Sequence, residues 1–147
     1  PEIITELAVT YSRMGMEDKT QSLLVQVVEL SPQDAAAYNN LGFNYLLQNN
    51  YTEAIKALQT ALAIQPDNAR IKNNLAAAYA LSTQSRKAFN LFRKTGSDAT
   101  AYNDLGYIYM IRGMEDAARA SFKKALELHP RHYVRAKENL SMLDNDP

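Results

Sequence analysis

The chain repeats itself, and the repeat restricts it to an array of similar units stacked side by side. Asp34-Ala-Ala-Ala-Tyr-Asn-Asn-Leu-Gly42 recurs as Asp98-Ala-Thr-Ala-Tyr-Asn-Asp-Leu-Gly106, and Gly15-Met-Glu-Asp18 as Gly113-Met-Glu-Asp116. Leu30-Ser-Pro32, Ile64-Gln-Pro66 and Leu128-His-Pro130 share one ending. A unit counted from Pro1, with later units starting at Ala35, Ala69 and Ala99, aligns Leu7, Leu41, Leu75 and Leu105 at position 7. Position 8 is small throughout (Ala8, Gly42, Ala76, Gly106), and position 11 is Tyr11, Tyr45, Tyr79 and Tyr109. Position 20 holds Thr20, Ala54, Ala88 and Ala118, and position 24 holds Leu24, Leu58, Phe92 and Phe122. A period in this range marks an architecture in which no single unit buries its own apolar face.

The spacing within a unit predicts two antiparallel helices. Positions 4, 7, 8 and 11 fall on one face of a first helix, and 20, 24, 27 and 28 on one face of a second. Small residues at 8 and 20 let the two axes approach, while the ring at 11 and the side chain at 24 fill the space beside them. Gly15, Asn49-Asn50, Thr83 and Gly113 mark the turn inside each pair. Proline at position 32 ends the second helix, because it lacks an N–H and forces its predecessor out of the α region. Asp34, Asp67 and Asp98 are the expected N-caps of the following helices.

These residues resemble the 34-residue tetratricopeptide repeat: Leu41-Gly42, Tyr45, Ala54, Leu58, Ala61 and Pro66 carry the likeness, and it extends over nearly the whole chain. The family usually has tryptophan at position 4, where this chain has Ile4, Tyr38, Lys72 and Tyr102. The resemblance implies an all-α fold, a right-handed superhelix of antiparallel helix pairs. The expected repeats are 1–34, 35–68, a shortened 69–98 and 99–132, closed by a capping helix over 133–143, all in one domain. In the third repeat the second helix should end near Gly96, because about one helical turn is missing. After Pro130, Tyr133, Ala136, Leu140 and Leu143 continue at helical spacing among Arg135, Lys137 and Glu138. The first repeat carries Thr5, Glu6 and Lys19, but Ile3 and Val9 leave its outer side incompletely covered.

Composition excludes several classes. Sixteen basic residues balance sixteen acidic ones, so no concentrated positive field is available for nucleic acid. Apolar runs such as Leu23 to Val28 are far short of the ~20 residues that span a bilayer. There is no cysteine, hence no disulfide, thiol nucleophile or zinc–thiolate site. The two histidines, His129 and His132, are separated by Pro130, and the simpler role for an imidazole there is to complement the carbonyl end of a helix. Glu17-Asp18 and Glu115-Asp116 each open a second helix, where they complement the dipole. Asn50-Tyr51-Thr52 and Asn139-Leu140-Ser141 fit the glycosylation pattern, which is short enough to arise by chance. No phosphate-binding loop or nucleophile turn is present, so neither catalysis nor a cofactor is expected. The chain starts at Pro1 rather than methionine, as a trimmed or processed product would; any targeting segment would lie upstream.

In proteins that this one resembles, positions 2, 5, 6, 9, 12 and 13 of the first helices line a peptide-binding groove. Carried over by residue, that groove takes in Asn39, Asn40, Phe43, Leu47, Arg70, Asn73, Asn74, Ala77, Asn103, Tyr107 and Met110. Asparagine has both a donor and an acceptor, so a ladder of them can pair with a peptide backbone whatever its sequence. The apolar residues beside it would take side chains of a helical or extended ligand. Asparagine at position 6 also bridges neighbouring repeats in the family, so Asn40 and Asn74 have a structural reading as well. A carboxylate clamp would need basic residues at position 5 of the first repeat and positions 2 and 6 of the third. It also uses asparagines at position 9 of the first repeat and 6 of the second. Thr5, Val9 and Asn74 fail that pattern; Asn40 and Arg70 alone meet it.

The expected function is therefore that of a non-enzymatic scaffold or adaptor holding an apolar or amphipathic segment of a protein partner. The alternative is end-to-end self-association through Ile3, Ile4 and Leu7. The shortened third repeat followed by Ala101-Tyr-Asn-Asp-Leu-Gly106 also resembles bacterial lipoproteins of tight-adherence pilus assembly. That resemblance implies a secretin or another pilus-assembly component as partner, and a periplasmic, outer-membrane-associated location; without it the location would be cytoplasmic.

Overall fold

The computed structural model describes residues 2–130 and 134–145, so His132 and Tyr133 of the sequence reading lie outside the described residues. Nine α-helices and no strand are found among the described residues: α1 Glu2–Arg13, α2 Glu17–Leu30, α3 Ala35–Leu47, α4 Tyr51–Ile64, α5 Ala69–Leu81, α6 Ser85–Thr95, α7 Asp98–Ile111, α8 Glu115–Leu128 and α9 Val134–Asn145. None of them is long and apolar enough to cross a membrane. The all-α class and the helix-pair repeat are thus observed, and the chain divides into two compact units, 1–78 and 79–147, with the division inside α5.

In the first unit α1 pairs with α2 and α3 with α4, and α2 packs on α3. Ala8, Leu24, Val27 and Leu41 lie at the centre of one core cluster; Ala35, Ala61 and Ile71 join α3, α4 and α5 in another. In the second unit α6 packs on α7, α7 pairs with α8, and α9 closes over α8. There Phe122, Ala118, Ala125, Ala136 and Leu143 form the core. Position 20 is buried in every repeat, and so is position 24, from Leu58 and Phe122 at 0% exposure to Leu24 and Phe92 at 4%. A Cβ added to Gly42 would fall 2.5 Å from Leu58 Cγ, and one added to Gly106 would fall 2.7 Å from Phe122 Cε1. Close axial approach is therefore why position 8 is small.

The turn inside each pair uses one residue in the left-handed region: Gly15 (φ 68°), Asn49 (58°), Thr83 (68°) and Gly113 (68°). Glycine and asparagine accept this conformation readily, whereas a β-branched residue is strained in it. Thr83→Asn, which copies the second repeat, should stabilise the chain by about 1 kcal/mol, read as a raised urea midpoint at unchanged slope. No change in midpoint would mean that the Thr83 backbone carries no strain.

Of the three expected N-caps, Asp34 is observed and the other two are displaced by one residue. Asp34 caps α3, its Oδ1 accepting from the N–H groups of Ala36 and Ala37. For α5 the cap is Asn68, which accepts from Arg70 and Ile71, while Asp67 pairs with Lys72 at 3.7 Å. For α7 it is Ser97, accepting from Thr100, and Asp98 becomes the first helical residue, paired with Arg93 at 3.2 Å. The N-cap must directly precede the first helical residue, and an aspartate one place away is used for its charge instead. As expected, α6 is short, 11 residues against 14 for α2, α4 and α8, and it stops before Gly96.

Candidate functional site

In α3 and α7 position 5 is buried and positions 9 and 13 are exposed, whereas in α5 position 5, Asn73, is exposed. On α3, Asn39 at position 5 and Leu46 at position 12 are buried; Asn40, Phe43 and Leu47, at 6, 9 and 13, turn outward. On α7, Asn103 is buried, while Tyr107 and Ile111 at positions 9 and 13 are exposed. Positions 5 and 12 are separated by seven residues, two helical turns, and so form one row; 6, 9 and 13 form a second row beside it.

The asparagines serve two purposes. Asn74 Nδ2 donates to Asn39 Oδ1 at 2.8 Å, tying α5 to α3 within the first unit. Asn139 Nδ2 donates to Asn103 Oδ1 at 3.1 Å, tying α9 to α7 in the second. Asn39 and Asn103 are thus inter-helix bridges rather than open rungs of a ladder, because each residue is some 96% buried and bonded to a neighbouring helix, α5 for Asn39 and α9 for Asn103. Asn74 bridges as the family resemblance allows at position 6. Asn40 is half-buried beside a cleft, and Asn73 and Arg70 are on the surface. Ala77 is half-buried. Met110 packs against the core around Phe122, leaving Ile111, at 56% exposure, as the outward apolar residue of that turn.

In the first unit the outward rows of α1 and α3 enclose a cleft of about 180 Å³, with Val9, Arg13, Asn40, Phe43 and Leu47 among its walls. Phe43 is 48% exposed and Leu47 51%, values too high for core residues and unusual for two large apolar groups one turn apart. Its floor is fixed from below: Asn44 Nδ2 donates to Glu17 Oε2 at 2.8 Å and Asn44 Oδ1 accepts from Gln48 Nε2 at 2.9 Å. Asn44 and Glu17 were not marked by the sequence as site-forming. Their signal was a polar residue at position 10, next to the tyrosine at 11, facing an acid at the start of the preceding helix.

The second unit has Tyr107 and Ile111 in the equivalent outward row, and Asp104 at position 6 where the second and third repeats have asparagine. Burial pushes the Asp104 carboxyl above its usual range, opposed by the Asn103 amide and by the Arg135 charge. A carboxyl held high in the folded state binds a proton there more readily than in the unfolded chain. Its contribution therefore becomes destabilising as pH rises from 3.8 through the folded value. Asp104→Asn should raise the urea midpoint at pH 7, and the gain should vanish below pH 3.8. A pH-independent difference would point to packing instead.

Residues 44–82 match the family model described as "TPR repeat", and residues 99–132 match that described as "Tetratricopeptide repeat". A human relative, "Protein O-mannosyl-transferase TMTC1", is 28% identical over 153 residues, covering 97% of this chain but 17% of the relative. The "Peroxisomal targeting signal receptor" of Yarrowia lipolytica is 32% identical over 95 residues, covering 58% of this chain and 16% of the receptor. This chain therefore spans about a sixth of the length of these two proteins. Among solved structures, "Crystal structure of MamA" aligns with a TM-score of 0.68 at 29% identity, over 96% of this chain and 80% of that one.

Proposed function

Because this chain is a tetratricopeptide repeat protein, we propose that it is a non-enzymatic scaffold that holds an apolar or amphipathic segment of a protein partner on the outward 6, 9 and 13 rows of its first helices. One observation carries this reading: Phe43 and Leu47 stand half-exposed in a walled cleft whose floor is held by the Asn44–Glu17 hydrogen bond. Burying two such groups against a ligand releases apolar surface from water without reorganising the scaffold. The Yarrowia lipolytica relative is named a receptor for a targeting signal, which agrees with a binding role for this chain. The double substitution Phe43→Glu with Tyr107→Glu should abolish partner pull-down while helicity by circular dichroism is unchanged, since both rings are already exposed. Undiminished pull-down would exclude these rows as the binding surface. A place in pilus or secretin assembly is a narrower form of the reading, motivated by the short α6 and the Ala101–Gly106 segment. Purified secretin failing to bind would remove that narrower form alone.

A further inference from the structure

Beside the apolar cleft of the first unit lies a larger one of about 690 Å³, sharing Val9 and Arg13 with it. Its walls carry Glu2, Glu6 and Asp34, against Arg13 as the one cation among the described lining residues. Glu2, Glu6, Val9 and Arg13 recur at four, three and four residues along α1, so they form one continuous row on a single face. Glu2 and Glu6 are exposed; Asp34 uses one carboxylate oxygen to cap α3 and still contributes its negative charge at the rim. Along the axis, Glu6 lies about 5 Å and Glu2 about 10 Å from Val9, at the rise of an α-helix.

The balance of charge points the same way on a larger scale. Although the whole chain is neutral, residues 1–78 hold five Lys and Arg against eight Asp and Glu, and residues 79–147 hold eleven against eight. The unit with the cleft is therefore net negative, and a cationic segment is drawn to it and an anionic one repelled.

We infer that the first unit recognises a basic amphipathic peptide: one large apolar side chain enters between Val9, Phe43 and Leu47, and a Lys or Arg two or three residues away meets Glu6 and Glu2. The spacing follows from the about 3.3 Å rise of an extended chain, which covers the distance from Val9 to either carboxylate in that many residues. Arg13, at the opposite end of the row, disfavours a cation on the other side of the anchor and so gives the peptide a direction. This inference rests on the scaffold reading above and adds the charge and polarity of its ligand.

Three fluorescein-labelled dodecapeptides test it by anisotropy with the full chain. All share a central Leu-Phe anchor in a Gln/Ala background, flanked on one side by two lysines, two glutamates or two glutamines. The lysine peptide should bind tightest and the glutamate peptide weakest, with the preference shrinking as salt is raised. Glu2→Gln with Glu6→Gln should weaken the lysine peptide by about tenfold and leave the glutamine peptide unchanged, the size expected for two exposed charge pairs. Phe43→Glu should weaken the glutamine and glutamate peptides. Equal or tighter binding of the glutamate peptide, a lysine preference that survives the double Gln variant, or no binding by any of the three would overturn the inference. The scaffold reading is judged apart from it: pull-down lost in Phe43→Glu/Tyr107→Glu, together with no charge preference here, keeps the scaffold and removes the basic ligand. Circular dichroism of the Gln variant confirms that α1 remains folded.

Discussion

Gly42→Leu is expected to cost more than about 3 kcal/mol, the upper end of what overpacked cores lose, and to leave little folded first unit at 37 °C. The reason is geometric. A single added Cβ already comes within 2.5 Å of Leu58 Cγ and 3.2 Å of the Ala54 carbonyl oxygen. The first contact is with the branch point of a side chain at 0% exposure and the second with backbone, so neither has room to retreat. Gly15→Leu is the matched control. It has nothing within 4 Å but stands at φ 68°, so its cost is the about 1–2 kcal/mol of a left-handed residue. Urea denaturation of the two variants separates steric from conformational cost. Adding Leu58→Ala to Gly42→Leu should recover part of the loss, because the clashing branch point is removed. Equal midpoints for the two glycine variants would show that α3 and α4 are not held together at that point.

Phe122→Ala should destabilise the second unit by about 3–5 kcal/mol, the range for removing a fully buried aromatic ring. Phe122 is at 0% exposure and is surrounded by Ala118, Ala125 and Ala136, each also at 0%. Tyr102, Tyr109 and Met110 pack against the same cluster, and how far they move into the vacated space sets where in that range the loss falls. Amide exchange gives the sharper measurement. Protection should fall along α7, α8 and α9 and be retained in α3 and α4, as nearest-neighbour energetics of a repeat array requires. A uniform loss of protection through the whole chain would show instead that the two compact units unfold as one.

How far the sequence could be read depended on whether a position's environment is set within its own repeat. Positions 8, 20 and 24 were legible because they meet inside one helix pair, where size alone decides the fit; Gly42 against Leu58 and Gly106 against Phe122 are the outcome. Leu7, at 42% exposure, departs from its counterparts Leu41, Leu75 and Leu105, all under 8%, because its cover would come from a neighbouring element on the outer side of α1. The binding rows were less legible. Positions 5 and 6, or 12 and 13, differ by one residue and about 100° around the helix, and polarity does not tell them apart. Asn39 and Asn40 have identical side chains, yet one is a buried bridge and the other edges the cleft. Only the location of the next first helix, which supplies Asn74, decides between them. The cap positions were misplaced for a related reason: Asp67 and Asp98 have the right chemistry, but Asn68 and Ser97 have the right backbone.

The Asn74–Asn39 and Asn139–Asn103 contacts are made between neutral amides. Neither partner titrates and neither attracts counterions, so in the first unit acidity and ionic strength have no handle on the Asn74–Asn39 bridge that spaces α3 and α5. The carboxylates of α1 have the opposite character. A chain built this way can be made to let go of a charged passenger by brine alone, while the frame that carried it stays in register for the next one.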